Sequence, residues 1–362
     1  MQTKCPSILV LAIALLMGGC SVTVSQPIVT ASTGPAAAAG FDLPATQVPV
    51  TWSNLQLSGQ LVYLTGFQQN KNPFVTLESL NLASGIITPL FTTPPLGWIY
   101  GASVSPDEKQ VVLAYASPTA FAALYILPMD GSSPPSLLLP PPTKLDQYTE
   151  PVWSVDGKFI YYVHVNFGQL SGKQKLPVYE IERLAYPGGA PERLLSNAYW
   201  PRISQDGSRM VYVSQNPNDG TNQLFTAGAD GSNPKQVKLS GPAVFSIIDA
   251  PLFLPDGKTI LFSAPAPAVS RLQDWMDWLL GVQPASAHNV ISEWWSVPTI
   301  GGIPTQLTHI QAPGLYGSVS PDGQQLASFS GNGIFVMRPD GSGLCMIIKD
   351  VGGIAGTVNW IR

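Results

Sequence analysis

The chain has 362 residues, too many for one ordinary domain unless that domain is a barrel or a propeller. It carries 34 Gly and 35 Pro, so 69 of its 362 positions break regular structure, while 45% of it is hydrophobic; average usage of the two breakers is about 12%. Long helices and wholesale disorder are thereby excluded, and a net charge of −4 with only 11% charged residues leaves no basic surplus for nucleic acid.

The first segment, 1–19, reads as a lipoprotein signal. Lys4 precedes an apolar run from Ile8 to Met17, and Gly18-Gly19-Cys20 follows directly. Ten apolar residues are about half of what spans a bilayer, which favours a cleaved signal over a permanent helix. The pattern is similar to the bacterial lipobox, with Met17 where Leu is usual. It implies acylation of Cys20 and attachment to a membrane surface. Residues 20–56 are rich in Ser, Thr, Ala, Pro and Val, hold no period, and read as a lipid anchor and flexible tether. Beyond them stands one cysteine, Cys345, so the mature chain is expected to lack an internal disulfide.

From residue 57 the sequence repeats itself at about fifty residues. The segments VSPDE, WSVDG, ISQDG, FLPDG and VSPDG place Asp107, Asp156, Asp206, Asp256 and Asp322 in register. Each is followed by an apolar strand such as QVVLAYA or KFIYYVHV. A second strand then ends in a glycine turn at Gly131, Gly189, Gly231, Gly302 or Gly341. Pro presets φ, Asp bonds its own backbone and Gly accepts positive φ, so each motif predicts a hairpin. Four antiparallel strands per repeat is the pattern of a propeller blade. A sixth blade is split. LSGQLVYLTG supplies its second strand, and TVNWIR at 357–362 supplies its first, with Trp360 in register with Trp153. The expected fold class is all-β, a six-bladed β-propeller over 57–362, closed by pairing its C-terminal strand with its N-terminal blade.

These blades resemble the TolB-type six-bladed propeller, also seen in relatives of dipeptidyl peptidase IV. The resemblance covers the whole repeat region and implies a fold. It does not imply a chemistry, because propellers host both binding and catalysis. TolB carries an α/β domain before its propeller, for which residues 21–56 are too short.

Strand order then places function. The glycine turns fall on one face of the disc, and the second-to-third loops and blade links fall on the other. The long insertions, Asn166–Leu176 and Ala264–Ile291, both belong to that loop face, where variable loops usually carry function. Six or seven residues before the turn aspartates stand Tyr100, Glu150, Tyr199, Trp200, Asp249 and Tyr316. They are expected to ring the channel mouth as an aromatic wall with two carboxylates. The insertion at about 265–292 contains SRLQDWMDWLLG, whose Leu272, Trp275, Met276, Leu279 and Leu280 share one arc of a helix. Trp275 and Trp278 are its candidate partner contacts.

The search for catalytic motifs returns none: no G-x-S-x-G, no H-E-x-x-H and no phosphate loop. The three histidines, His164, His288 and His309, lack zinc spacing and read as structural or surface groups. No cofactor and no metal are expected. The expectation is a monomeric, exported, lipid-anchored module that binds a protein, peptide or cell-envelope component and no nucleic acid. The competing expectation is a metal-assisted lactonase or lyase at the channel mouth.

Overall fold

The computed structural model describes residues 44–69, 72–172, 176–216, 218–243, 245, 247–266, 290–349 and 357–362. The signal, Cys20 and the insertion tryptophans Trp275 and Trp278 lie outside the described residues.

In chain order, β1 (Thr46–Gln47), β2 (Gln60–Gln69), β3 (Asn72–Asn81) and β4 (Ile86–Thr92) open the first blade. The second holds β5 (Trp98–Val104), β6 (Gln110–Ala116), β7 (Ala123–Pro128) and β8 (Ser136–Leu139). The third holds β9 (Asp146–Trp153), β10 (Phe159–Ser171), β11 (Leu176–Ala185) and β12 (Glu192–Ser196). The fourth holds β13 (Ala198–Ile203), β14 (Arg209–Gln215), β15 (Asn222–Gly228) and β16 (Lys235–Gln236). The fifth holds β17 (Asp249–Phe253), β18 (Thr259–Ala264), β19 (Ile291–Pro298) and β20 (Thr305–Gln306), with β21 (Ala312–Pro313) against β19. The sixth holds β22 (Tyr316–Val319), β23 (Leu326–Ser330), β24 (Gly333–Met337) and β25 (Cys345–Lys349). Last, β26 (Val358–Ile361) pairs with β2, so the first blade takes its innermost strand from the other end of the chain. The protein is a six-bladed β-propeller of antiparallel sheets, as the repeat predicts.

The aspartate turns show why the repeat is so regular. Ser105, Ser154, Ser204 and Ser320 each donate a hydroxyl to the aspartate two residues on, at 2.5–2.7 Å. The same carboxylates accept the backbone N–H two residues further along. The serine oxygen in turn accepts the N–H that starts the next strand. In the fifth blade Leu254 replaces the serine, and Thr259 bonds Asp256 from the other side at 2.8 Å. The closing turn depends on Gly59, at φ 83°: a Cβ there would sit 2.1 Å from the Ile361 carbonyl oxygen.

Apolar clusters fill the spaces between neighbouring blades. Two devices knit the innermost strands across those seams. Trp153 donates its indole N–H to the Ser103 carbonyl at 3.1 Å. Asn359 and Thr357 accept the N–H groups of Val104 and Ala102.

The folded unit starts earlier than residue 57. β1 pairs with β4 and covers the outer edge of the closing blade. A 3₁₀ turn (Ser53–Leu55) follows Trp52, which is 1% exposed and donates its indole N–H to the Leu82 carbonyl at 2.8 Å. Covering an edge strand removes a template for unwanted pairing. Residues 44–56, expected as tether, are therefore part of the blade.

Candidate binding site in the central channel

The innermost strands of four consecutive blades carry a register break at one height. The breaks fall at Ile99/Ala102, across from Tyr161/Val163 on β9, at Tyr199/Arg202 and at Asp249/Leu252. Glu150, Trp200 and Ala250 occupy the break with φ of 52°, 58° and 43°, and each precedes a proline. A left-handed non-glycine residue costs about 1 kcal/mol or more, and such bulges re-aim side chains beside sites. Here they turn Glu150 and Trp200 toward the channel.

A cavity of about 310 Å³ occupies the channel below this level. Tyr100, Glu150, Trp200 and Arg202 line its inner part, and Gln205, Pro255 and Pro321 line its outer part. The last three are residues of the aspartate turns. Among the described residues, the cavity thus extends toward the turn face, whereas the sequence suggested a mouth on the loop face. Tyr199, Asp249 and Tyr316 are packed behind it on the loop side and are not lining residues. Tyr199 stands 5.6 Å from Tyr179, and Tyr316 stands 5.4 Å from Trp200, ring to ring. The strand order explains this: residues six or seven before a turn sit at mid-channel, with the strand running on toward the turn.

The charges here are few and crowded. Glu150 accepts the Trp200 backbone N–H at 2.7 Å. Burial pushes its carboxyl up to about 7, against the pull of that N–H and of Arg202. Asp249 is 5% exposed, and burial together with the Glu150 charge raises it to about 8. The Trp200 side chain bonds one Asp249 oxygen, and the other has no hydrogen-bond partner among the described residues. Burial also lowers the Arg202 guanidinium, which the Glu150 charge partly restores. Arg202 lies 5.7 Å from the Trp200 ring, and among the described residues it donates to the Pro201 carbonyl at 3.0 Å. Sequence reasoning missed Arg202. Its signal was a charge at the inner-strand position where neighbouring blades place Val152 and Leu252.

A second buried cluster lies within the third blade. The His164 ring nitrogens are each 2.9 Å from a carboxylate, Asp146 on β9 and Glu182 on β11. Tyr162 donates to Glu182 at 2.7 Å and Thr143 to Asp146 at 2.5 Å. Carboxylates only accept, so both ring nitrogens must carry hydrogen, and the species held is the imidazolium. Burial alone would lower the imidazole, but the bonds from Glu182 and Asp146 outweigh it and lift it to about 8. Among the described residues, His164, Glu180 and Glu182 are also close enough to hold a metal ion. Both ring nitrogens are already engaged, however, and Glu180 accepts from Arg193 at 2.9 Å, so the contacts fit a proton-bridged clamp.

No family model matches this sequence, and no curated protein does. Solved structures do match. TolB from Acinetobacter baumannii aligns at TM-score 0.57 and 18% identity, over 83% of this chain and 66% of that one. The likeness is one of fold, a six-bladed β-propeller. A putative TolB from Agrobacterium tumefaciens aligns at 0.52 and 18%, over 81% of this chain and 92% of that one. A chain of a nidogen/laminin complex reaches the same TM-score at 12% identity, over 78% of this chain and 89% of that one. This chain spans just under two thirds of the Acinetobacter TolB. At such identities the likeness concerns architecture, and chemistry has to be argued from side chains.

Proposed function

We propose that the protein is a binding and scaffolding module, not an enzyme, held at the cell envelope by a lipid on Cys20 and docking a protein or peptide on its loop face. The observation that carries this is an apolar patch on that face. Phe121, Leu145, Phe167 and Leu170 are 47%, 54%, 40% and 58% exposed. They come from a second-to-third loop, a blade link and the extended β10–β11 hairpin, and Phe121 stacks on Phe167 at 6.3 Å. Clustered apolar groups from three separate segments mark an interaction surface more than scattered ones do.

The test is site-specific photocrosslinking in intact envelopes. A photoreactive residue at Leu170 should give a discrete crosslinked partner, and one at Ile300, an exposed residue on the turn face, should not. Equal labelling from both positions, or none from Leu170, overturns the docking reading. The anchor has its own test: Cys20→Ser should move the protein from the membrane to the soluble fraction.

A further inference from the structure

We propose that the channel cavity is a binding site for a small carboxylate, entered from the aspartate-turn face and held by Arg202. It lies on the other side of the disc from the docking patch and stands independently of it.

A guanidinium in a protein wall is normally paired, because an unpaired buried charge is costly. Arg202 makes no ion pair within 4.0 Å to a described carboxylate. Among the described residues one of its five donors is used, on the Pro201 carbonyl. The remaining fork has the geometry that carboxylates match bidentately. Two serines of the wall are engaged by the protein itself: Ser103 and Ser318 accept the N–H groups of Trp153 and Trp360. Arg202 is thus a cationic lining group with capacity left for a ligand. Val152, Leu252 and Phe253 line the same space with Tyr100, which suits an apolar or aromatic body behind the acid. At about 310 Å³ the cavity lies at the small end of ligand sites.

The titratable groups around Arg202 fix the pH dependence. They are Glu150 on β9, Asp249 on β17, Tyr199 on its own strand, Tyr316 on β22 and Tyr100 on β5. The tyrosines stay neutral, since burial raises all three. With both carboxyls protonated the site carries one positive charge, and Glu150 can donate to a bound carboxylate. With both ionised the site carries one negative charge and repels it.

Calorimetry on the full chain in detergent tests this with two acids, phenylacetate and N-acetyl-Ala-Phe, each against its amide. A free acid as ligand predicts tenfold or greater preference for phenylacetate over phenylacetamide; a peptide terminus predicts that preference for N-acetyl-Ala-Phe. The preferred acid should lose at least tenfold in affinity between pH 6 and pH 8.5. Glu150→Gln should retain binding and reduce that pH dependence, and Arg202→Gln should abolish acid preference. If neither acid outbinds its amide in the unaltered protein, or affinity rises with pH, the proposal is overturned. The unaltered protein decides this even if Arg202→Gln fails to fold.

Discussion

The protein buries two carboxylate-rich clusters, one at the base of the third blade and one at the centre of the channel, and they are partnered differently. In the blade cluster each ring nitrogen of His164 meets a carboxylate, and the spare carboxylate oxygens take the hydroxyls of Thr143 and Tyr162. In the channel, two carboxyls and one guanidinium share fewer contacts, and an Asp249 oxygen is unsatisfied among the described residues. The physical outcomes diverge accordingly. Pairing holds Asp146 below its ordinary range, against burial, through Thr143 and His164. Burial without pairing holds Glu150 and Asp249 well above theirs. A satisfied cluster stabilises its blade; an under-satisfied one is a place for something else to bind.

The sharpest way to break this contrast is His164→Ala. It leaves two carboxylates facing one another in a mostly buried site and should destabilise by about 3 kcal/mol, as for loss of one partner from a buried ion pair. Denaturant unfolding at pH 7 measures it. A change under about 0.5 kcal/mol would show that the clamp contributes little.

The channel should respond in the opposite sense. Glu150 and Asp249 have ordinary values of 4.5 and 3.8 and folded values of about 7 and 8. Between those limits the folded protein holds protons that the unfolded chain has released, so stability falls as pH rises from about 4 to about 8. The double variant Glu150→Gln, Asp249→Asn should flatten that fall. At pH 9 the double variant should be the more stable of the two. Equal slopes in the two proteins would refute the channel's role in the pH response.

His164 predicts a smaller pH effect. Its folded value of about 8 exceeds the ordinary 6.5, so its stabilisation is complete below about 6.5 and is lost as pH rises through 8. An NMR titration of the imidazole should show a midpoint near 8, moving toward 6.5 in Asp146→Asn. A midpoint at or below 6.5 in the unaltered protein would contradict the bridged imidazolium.

The smallest expected effect tests the turns. Glu108 stands at φ 59°, where the other four aspartate turns place glycine. Glu108→Gly relieves left-handed strain but loses the side-chain contact to the Arg362 N–H at 3.0 Å. The net change in unfolding free energy should stay within about 1 kcal/mol.

What the sequence made legible was local. Each aspartate turn is built within six residues, so its aspartate, with a serine before it in four turns and a glycine after it in four, announces it, and five in register specify blades. Trp360 matched Trp153 because both close the same kind of seam. Trp52 and β1 were not legible: residues 44–56 have no period, and their order comes from a groove on the closing blade. The channel residues Tyr100, Glu150 and Trp200 were found by counting back from the turns. The direction of the cavity was not found, because it depends on which residues pack behind them. Arg202 was passed over because a lone arginine in a strand carries no motif; its meaning comes from the carboxyls of two other blades.

The closing blade has a consequence for how the chain reaches this state. Three of its strands, β2 to β4, lie near the start of the folded unit, and the innermost, β26, lies at residues 358–361. Until those four residues are available the ring has a gap, and β2 keeps an open hydrogen-bonding edge. Closure joins Gln60 to Ile361, far apart in sequence, and such non-local pairing is formed slowly. Residues 358–361 therefore act as a checksum: a chain that stopped before Val358 would carry every aspartate turn and still leave β2 without its partner strand.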